Sequence, residues 1–379
     1  MSTLKVNTIN AATSGQGVAV DVQNPRSFRN LIINGAMQVN QRLGTSASSA
    51  HTSGSNANLC DRFNVYTNLT NYSATYQQVA DAPAGSGLYY SQKITNGAAA
   101  TYGAGSEIVL RQKFEGSTWK NLEYGTSGAK TTTLSFWIKC SMTGTFSIVI
   151  YFGGASSADR YYVKNYTVSA ANTWEKKTIT ITGLTEVISQ VNYTNAYAGQ
   201  IAWTFGTGSN YEGTDGSWGS SYKNGTSSDT NFFETNGATV QLTGIQWEIA
   251  DYATSFEHRS YGSELARCQR YYQRWAGDHG GAYGISAGYT YASGTATATG
   301  LNLSTPLRAA PTVKNITNGG VLYGQGTSSS ILSVAFTGYT LYSNWVAIGL
   351  NQVSDMGDSN HATTLANVNN QYIALEAEL

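Results

Sequence analysis

The feature that most constrains this chain is a succession of short runs in which apolar and polar residues alternate. Residues 134–140 and 145–152 (Leu134, Phe136, Ile138 and Cys140 in the first; Phe146, Ile148, Ile150 and Phe152 in the second) read as two central strands. A period of two sends successive side chains to opposite faces of a sheet. Comparable runs occupy 61–66, 72–79, 87–94, 107–114, 161–168, 174–181, 201–205 and 240–249, each bounded by Gly-, Ser- or Asn-rich stretches. About ten short strands joined by turn-forming segments predict a mainly β protein built on a double-sheet, jelly-roll-like β-sandwich. The excess of 41 glycines and 26 tyrosines serves the same end, glycine in the turns and tyrosine in the strands.

The period changes after residue 249. Leu265, Cys268, Tyr272 and Trp275 recur three to four apart, which predicts one stripe of a helix over 263–275. Ser260 or Ser263 can cap it, Glu264 lies in its first turn, Arg270 and Arg274 follow, and Gly277 is a stop. A second glycine-rich β segment follows and ends in a patterned strand at 372–378, which predicts a chain end tied into a sheet. The expected organisation is an N-terminal attachment and oligomerisation arm (1–27), a jelly-roll sandwich (28–256), a linking helix (257–278) and a smaller C-terminal β-sandwich domain (279–379). In the arm Val18, Val20 and Val22 alternate without enough neighbours to form a core, so completion by other copies of the chain is expected.

Charge excludes several functions. With 22 basic and 22 acidic residues, 12% in all, the chain has about half the usual charge density and no basic field for nucleic acid. It also has no long apolar stretch for membrane insertion. Cys60, Cys140 and Cys268 are too scattered for a disulfide framework or a thiolate metal site, so free buried thiols are expected. The first residues carry no signal-peptide core, which predicts synthesis in a cytoplasm. The histidines form no HExxH spacing, and neither GxSxG nor GxxxxGK[ST] occurs. Carboxylates are present, but no spacing selects a pair, so no catalytic residue is named and no cofactor is required.

Between 206 and 235 lies a long stretch with aromatic residues set among Gly, Ser and Asn. A loop of that length is uncommon unless it has a function. Sugar recognition needs rings that stack on apolar faces and planar polar groups for hydroxyls. Tyr211, Asp215, Trp218, Tyr222 and Asn224 are therefore glycan-binding candidates, with Tyr289 and Tyr291 in the second domain. The alternative is that the rings fold back as a satellite core.

Several segments together resemble one family. They are Asn30-Leu31-Ile32-Ile33-Asn34-Gly35-Ala36-Met37 with Asp61-Arg62-Phe63, and Gly244-Ile245-Gln246-Trp247-Glu248 through Phe256-Glu257-His258-Arg259-Ser260-Tyr261, with Cys268-Gln269-Arg270-Tyr271-Tyr272. This set is similar to tail-fibre and tail-associated receptor-binding proteins of bacteriophages, whose intervening segment is a jelly-roll module of carbohydrate-binding type. Thr3-Leu4-Lys5-Val6-Asn7-Thr8-Ile9 resembles the lead-in by which such fibres join a virion. The resemblance implies a homotrimeric virion fibre or spike that contacts other tail proteins and bacterial surface polysaccharide, with host adsorption as its role. It also allows a structural calcium, for which the metal ligands are unknown. Val18, Val20, Leu265, Cys268, Tyr272 and Trp275 are the expected oligomerisation and joint residues. Glu257, His258 and Arg259 read as structural, either pairing across chains to fix the domain angle or simply exposed to solvent. A purely structural virion component and a tail-associated polysaccharide depolymerase are the rival readings.

Overall fold

The computed structural model describes residues 29–52, 56–153, 159–188, 193–276, 283–292, 296–314, 320–324, 334–341, 345–352, 362–367 and 372–379. Val18 and Val20, with the rest of the expected arm, lie outside the described residues.

In chain order the first thirteen strands are β1 (His51–Thr52), β2 (Asn56–Asn58), β3 (Asn64–Thr67), β4 (Ser73–Val79), β5 (Ser91–Asn96), β6 (Glu107–Glu115), β7 (Thr132–Cys140), β8 (Gly144–Phe152), β9 (Arg160–Val168), β10 (Glu175–Ile181), β11 (Tyr197–Thr207), β12 (Ser217–Gly219) and β13 (Thr239–Glu248). They form two antiparallel sheets. One has the order β1-β4-β5-β13-β7-β10 and the other β12-β9-β8-β11-β6-β3-β2. The chain passes repeatedly from one sheet to the other, giving the expected jelly-roll sandwich. Leu134, Phe136 and Ile138 from one sheet meet Ile148, Ile150, Phe152, Ile201 and Trp203 from the other in a single core. Aromatic rings carry much of it: Trp119 lies 5.4 Å from Trp247 and 5.1 Å from Phe152, each edge to face. All three cysteines are buried and unpaired, and burial pushes each thiol above its usual range.

The expected helix over 263–275 is shorter in the structure. It runs over Tyr261–Gln269, capped by the Ser260 hydroxyl, which accepts from the Ser263 amide. Tyr272–Ala276 is a strand instead, β14, paired antiparallel with β22 (Tyr372–Glu376). The spacing of Tyr272 and Trp275 fits either element, and pairing with a strand about a hundred residues downstream decides it. The side chains that the helix buries are Glu264 and Cys268, one turn apart.

The second domain contains β15 (Tyr283–Ala292), β16 (Ala296–Asn302), β17 (Thr312–Lys314), β18 (Gly320–Gly324), β19 (Val334–Leu341), β20 (Trp345–Gln352) and β21 (Ala362–Asn367), with β14 and β22. A three-stranded sheet has the order β14-β22-β17, and a six-stranded sheet has the order β18-β21-β15-β16-β20-β19.

The segments that carried the family resemblance meet at the junction between the domains. The Asn30 side chain bridges to Ile245 and Trp247 of β13, donating to the Ile245 carbonyl at 3.0 Å and accepting the Trp247 amide at 3.0 Å. Gly35 passes so close to β13 that an added Cβ would lie 2.1 Å from the Ile245 oxygen. The Asn34 amide donates to Glu264 at 2.6 Å, and its side chain donates to the carbonyls of Val39 and Asp61. Arg259 donates to the carbonyls of Asn30 and Ile32 and lies 3.5 Å from Glu264. Arg259 thus pairs within the chain, which neither of the two alternatives drawn from the sequence, pairing across chains or solvent exposure, describes. Cys268 and Tyr272, named as oligomerisation or joint residues, are 0% and 3% exposed within the chain, and Cys268 is the packed thiol expected of it. Leu265 and Trp275 are half-buried.

Candidate functional site

The outward face of the seven-stranded sheet is built from three cross-strand rows fixed by strand register. The first is Tyr161–Tyr151–Gln200–Lys113, and the second Val163–Val149–Ala202–Arg111–Asn64. The third is Asn165–Ser147–Thr204–Val109–Tyr66–Asn56. Val109, Val149, Val163 and Ala202 form a small apolar cluster on this face, separate from the main core. Arg111 grips three other side chains of these rows, donating to Asn64 at 2.9 Å, to Asn56 at 2.7 Å and to Gln200 at 3.3 Å.

The stretch after β11 folds back over this face. Its outgoing limb bonds to β9, where Asp215 forms a bridge with Val163. Its return limb is held from below. The Ser147 hydroxyl donates to Asp229 at 2.6 Å, and the Thr226 amide donates to the same carboxylate at 3.1 Å. Glu107, at the start of β6, accepts from the Tyr222 hydroxyl and from the Asn224 amide. Burial pushes the Glu107 carboxyl above its usual range despite these donors, and it pushes Asp229 up to about 6.

A chain of tyrosine rings crosses the face. Tyr151 stacks on Tyr161 with centroids 5.0 Å apart, and Tyr197 lies 5.8 Å from Tyr151. Tyr161 meets Tyr222 edge to face at 5.3 Å, and Tyr222 meets Tyr211 at 5.2 Å. Burial first, with nearby negative groups, raises the phenols of Tyr151, Tyr161 and Tyr222, so they stay protonated donors at neutral pH. Tyr197 and Tyr222 remain more than a third exposed. Beside this chain is an open cleft of about 460 Å³, lined by Tyr161, Glu212, Trp218, Ser221 and Lys223 among others.

Of the loop residues nominated from the sequence, the fold brings Tyr211, Tyr222 and Asn224 together over Glu107. Asp215 is held apart. Burial acts to raise its carboxyl, but Lys164 at 2.7 Å and the Asn165 amide at 2.8 Å outweigh that and hold it below the usual range. Trp218 sits across from Tyr162 in register, so its ring leans to the sandwich interior. It packs against the main core beside Tyr124 and Tyr162, and its indole nitrogen donates to the Thr182 carbonyl at 2.9 Å. Tyr289 and Tyr291 lie on β15 in the other domain, Tyr289 opposite Ala298 and Ala362. Tyr211, Tyr222 and Asn224 thus form one group, while Asp215, Trp218 and the two β15 tyrosines lie elsewhere.

Sequence reasoning passed over Tyr151, Tyr161, Tyr197, Arg111 and Gln200. In β8 both faces are covered, so Ile148-Val149-Ile150-Tyr151-Phe152 reads as continuously apolar and hides which residues point outward. Register with β9 and β11 was the missing information. Among the described residues no group of three or more His, Cys, Asp or Glu side chains is placed to hold a metal ion.

No protein-family model and no curated protein matches the chain. Solved structures similar to it include the enzymatically active domain of tailspike protein 4 of bacteriophage CBA120, at 13% identity and a TM-score of 0.30. That match covers 58% of this chain and 21% of the tailspike chain, so the chain spans about a fifth of that protein's length. A structure described as CBM4 matches at 14% identity and a TM-score of 0.27, covering 57% of this chain and 98% of its own. The family 11 carbohydrate-binding module from Clostridium thermocellum, solved with a β-1,3-1,4-mixed-linked tetrasaccharide, matches at 9% identity and a TM-score of 0.28, covering 56% and 99%. Scores this low identify no site, and the fold assignment rests on the strand order.

Proposed function

We propose that the protein is a glycan-binding component of a virion fibre or spike, which attaches the particle to bacterial surface polysaccharide without cleaving it. The observation that carries this reading is the chain of tyrosine rings over the seven-stranded sheet, continuous with Arg111, Gln200 and Asn224. Rings offer stacking to the apolar faces of sugars, and the guanidinium and amides offer planar partners for hydroxyls. The low charge fits a neutral or weakly charged polymer better than an electrostatic partner. The virion role is supported by the sequence resemblance, and assembly as a homotrimer belongs to the same proposal. Repeated weak sites on one particle would gain affinity through avidity.

Incubation of the purified protein with host cells and their extracted polysaccharide tests this, with retention and polymer length read in the same samples. Retention with unchanged polymer length is expected, reduced about tenfold or more in Tyr222→Ala and Tyr161→Ala. Absence of binding on a confirmed host would leave a purely structural role. One observation favours a second reading. Glu107 and Asp229, two carboxyls raised by burial, each lie under this loop, and a perturbed carboxyl beside a cleft is a candidate acid–base group. Shortened polymer that persists in wild type and vanishes in Glu107→Gln would replace adhesion with depolymerisation.

A further inference from the structure

A second cavity lies away from the loop-covered face, beside the domain junction. Its volume is about 410 Å³, within the range of about 300–1,000 Å³ typical of small-molecule sites. Tyr89, Tyr90, Tyr261 and His258 supply its rings, and Gln38 and Asn40 supply amides. Tyr89 is 66% exposed and Tyr261 is 55% exposed, among the most open large side chains in the described structure.

The walls are fixed by the fold. Tyr89 and Tyr90 pack edge to face with centroids 4.7 Å apart. The Tyr90 carbonyl accepts from the Thr243 hydroxyl at 2.6 Å, which ties the segment to β13. Just before them, Gly87 adopts φ +73°, and an added Cβ there would stand 3.0 Å from the His258 ring. A side chain at Gly87 would crowd that ring, which Phe256 supports edge to face at 5.0 Å. Tyr261 opens the helix over Tyr261–Gln269, whose cap and Glu264 anchor it to the junction. Ligand recognition would therefore begin from ordered rings rather than a mobile loop.

The polar groups indicate the class of ligand. Arg259 is engaged by two backbone carbonyls and by Glu264, and it is only 6% exposed, so it offers little to an anion. Glu264 accepts the Asn34 amide and Glu257 accepts the Asn30 amide, so their carboxylates already have partners. The Gln38 and Asn40 amides also donate to carbonyls, of Arg259 and Gly44, so what the cavity offers is exposed aromatic rings, the remaining hydrogen-bonding capacity of these neutral amides, and an imidazole. From this we infer that the cavity is a second binding site for a neutral saccharide, separate from the tyrosine-lined face and independent of whether that face binds.

Saturation-transfer NMR on the full chain tests it, with glucose, N-acetylglucosamine, maltotriose and cellotetraose as probes and N-acetylneuraminic acid as the anionic comparison. In a Tyr161→Ala/Tyr222→Ala background, where the other face is disabled, transfer to ring protons of at least one neutral probe is expected, falling at least fivefold when Tyr89→Ser/Tyr261→Ser is added. Tyr89 and Tyr261 are exposed, so the fold should survive the added pair, and circular dichroism checks that it does. Gly87→Val, which would push His258 out of place, should lower transfer with Tyr89 and Tyr261 intact. No transfer to any neutral probe, transfer that survives the added pair, or preference for the anionic sugar would each overturn the assignment.

Discussion

The Glu378 carboxylate pairs with the Arg62 guanidinium, 316 positions earlier in the chain. Arg62 lies flat over the Tyr271 ring, 3.4 Å from its centroid, and donates to the Lys113 carbonyl at 2.7 Å. Beside it, Arg42 reaches Glu376 at 2.8 Å and Glu378 at 3.5 Å, and covers the Tyr272 ring at 3.9 Å. Two arginines of the sandwich thus clasp the segment at and after β22, and two consecutive tyrosines after the helix back them.

Removing one side of this clasp should cost more than a surface ion pair. Arg62 is 2% exposed in its side chain and Glu378 19%. Breaking a buried pair by losing one partner costs about 3–5 kcal/mol. Arg62→Ala should therefore lower the unfolding free energy, read from urea titrations, by about that amount, and Glu378→Ala should cost a similar amount, because it leaves the buried Arg62 charge without its carboxylate. Arg62→Lys should recover only part, because an ammonium lacks the flat surface that covers Tyr271. Equal stabilities for wild type and Arg62→Ala would contradict the clasp.

Trp218 and Tyr222 should separate stability from binding. Trp218→Ala removes a half-buried ring from the sandwich edge and is expected to cost about 2 kcal/mol, less than the ~3–5 for a fully buried Trp. Tyr222→Phe removes only a hydroxyl that donates to Glu107, and should leave the thermal midpoint within a few degrees while weakening glycan retention. A Trp218→Ala protein of wild-type stability that no longer binds would reverse these roles.

The sandwich was legible because half-buried strands keep a period of two, as Ser73–Val79 does, and Val240 to Glu248 keeps the alternation even though all of it is buried. The end of the helix was not, because Tyr272 and Trp275 satisfy a helical stripe and a strand pair alike. The partner that decides, β22, lies too far along the chain for a local pattern to reveal. The candidate face was half legible. Tyr211 and Tyr222 stood out in a loop of small residues, whereas Tyr151 and Tyr161 were camouflaged by Val149 and Val163, which the same loop buries. The junction segments were recognisable as a set, but their partners were not: which groups Arg259 and Cys268 pack against is fixed by contacts far apart in the chain.

The cysteines offer a test of packing. Burial raises Cys140 to about 11, and it raises Cys60 and Cys268 further. Since the thiolate is the reactive form, native protein at pH 8 should show almost no reaction with a thiol-specific disulfide reagent over minutes. All three cysteines should titrate in guanidinium chloride. Rapid reaction of one thiol in the native state would locate a local opening.

Asp229 gives the return limb of the loop a pH dependence with a definite sign. Its carboxyl is raised from 3.8 to about 6, by burial first and by the charge of Glu212 in addition, while Ser147 and Thr226 lower it only in part. Between those values the folded chain holds a proton that the unfolded chain has released, so stability falls as pH rises through that window. At about 1.4 kcal/mol per pH unit, up to about 3 kcal/mol is lost between pH 4 and 6. Other carboxyls act in the opposite direction: burial also opposes ionisation of Glu115, but Arg270 and Tyr271 prevail and hold it below its usual range. The total profile is therefore uninformative, and the difference between Asp229→Asn and wild type isolates the one group. The variant should gain on wild type by up to about 3 kcal/mol from pH 4 to 6.5 and stay level above that, measured by urea midpoints at each pH. A difference that does not change with pH would mean that water reaches Asp229 and that the loop is not anchored on a buried carboxyl.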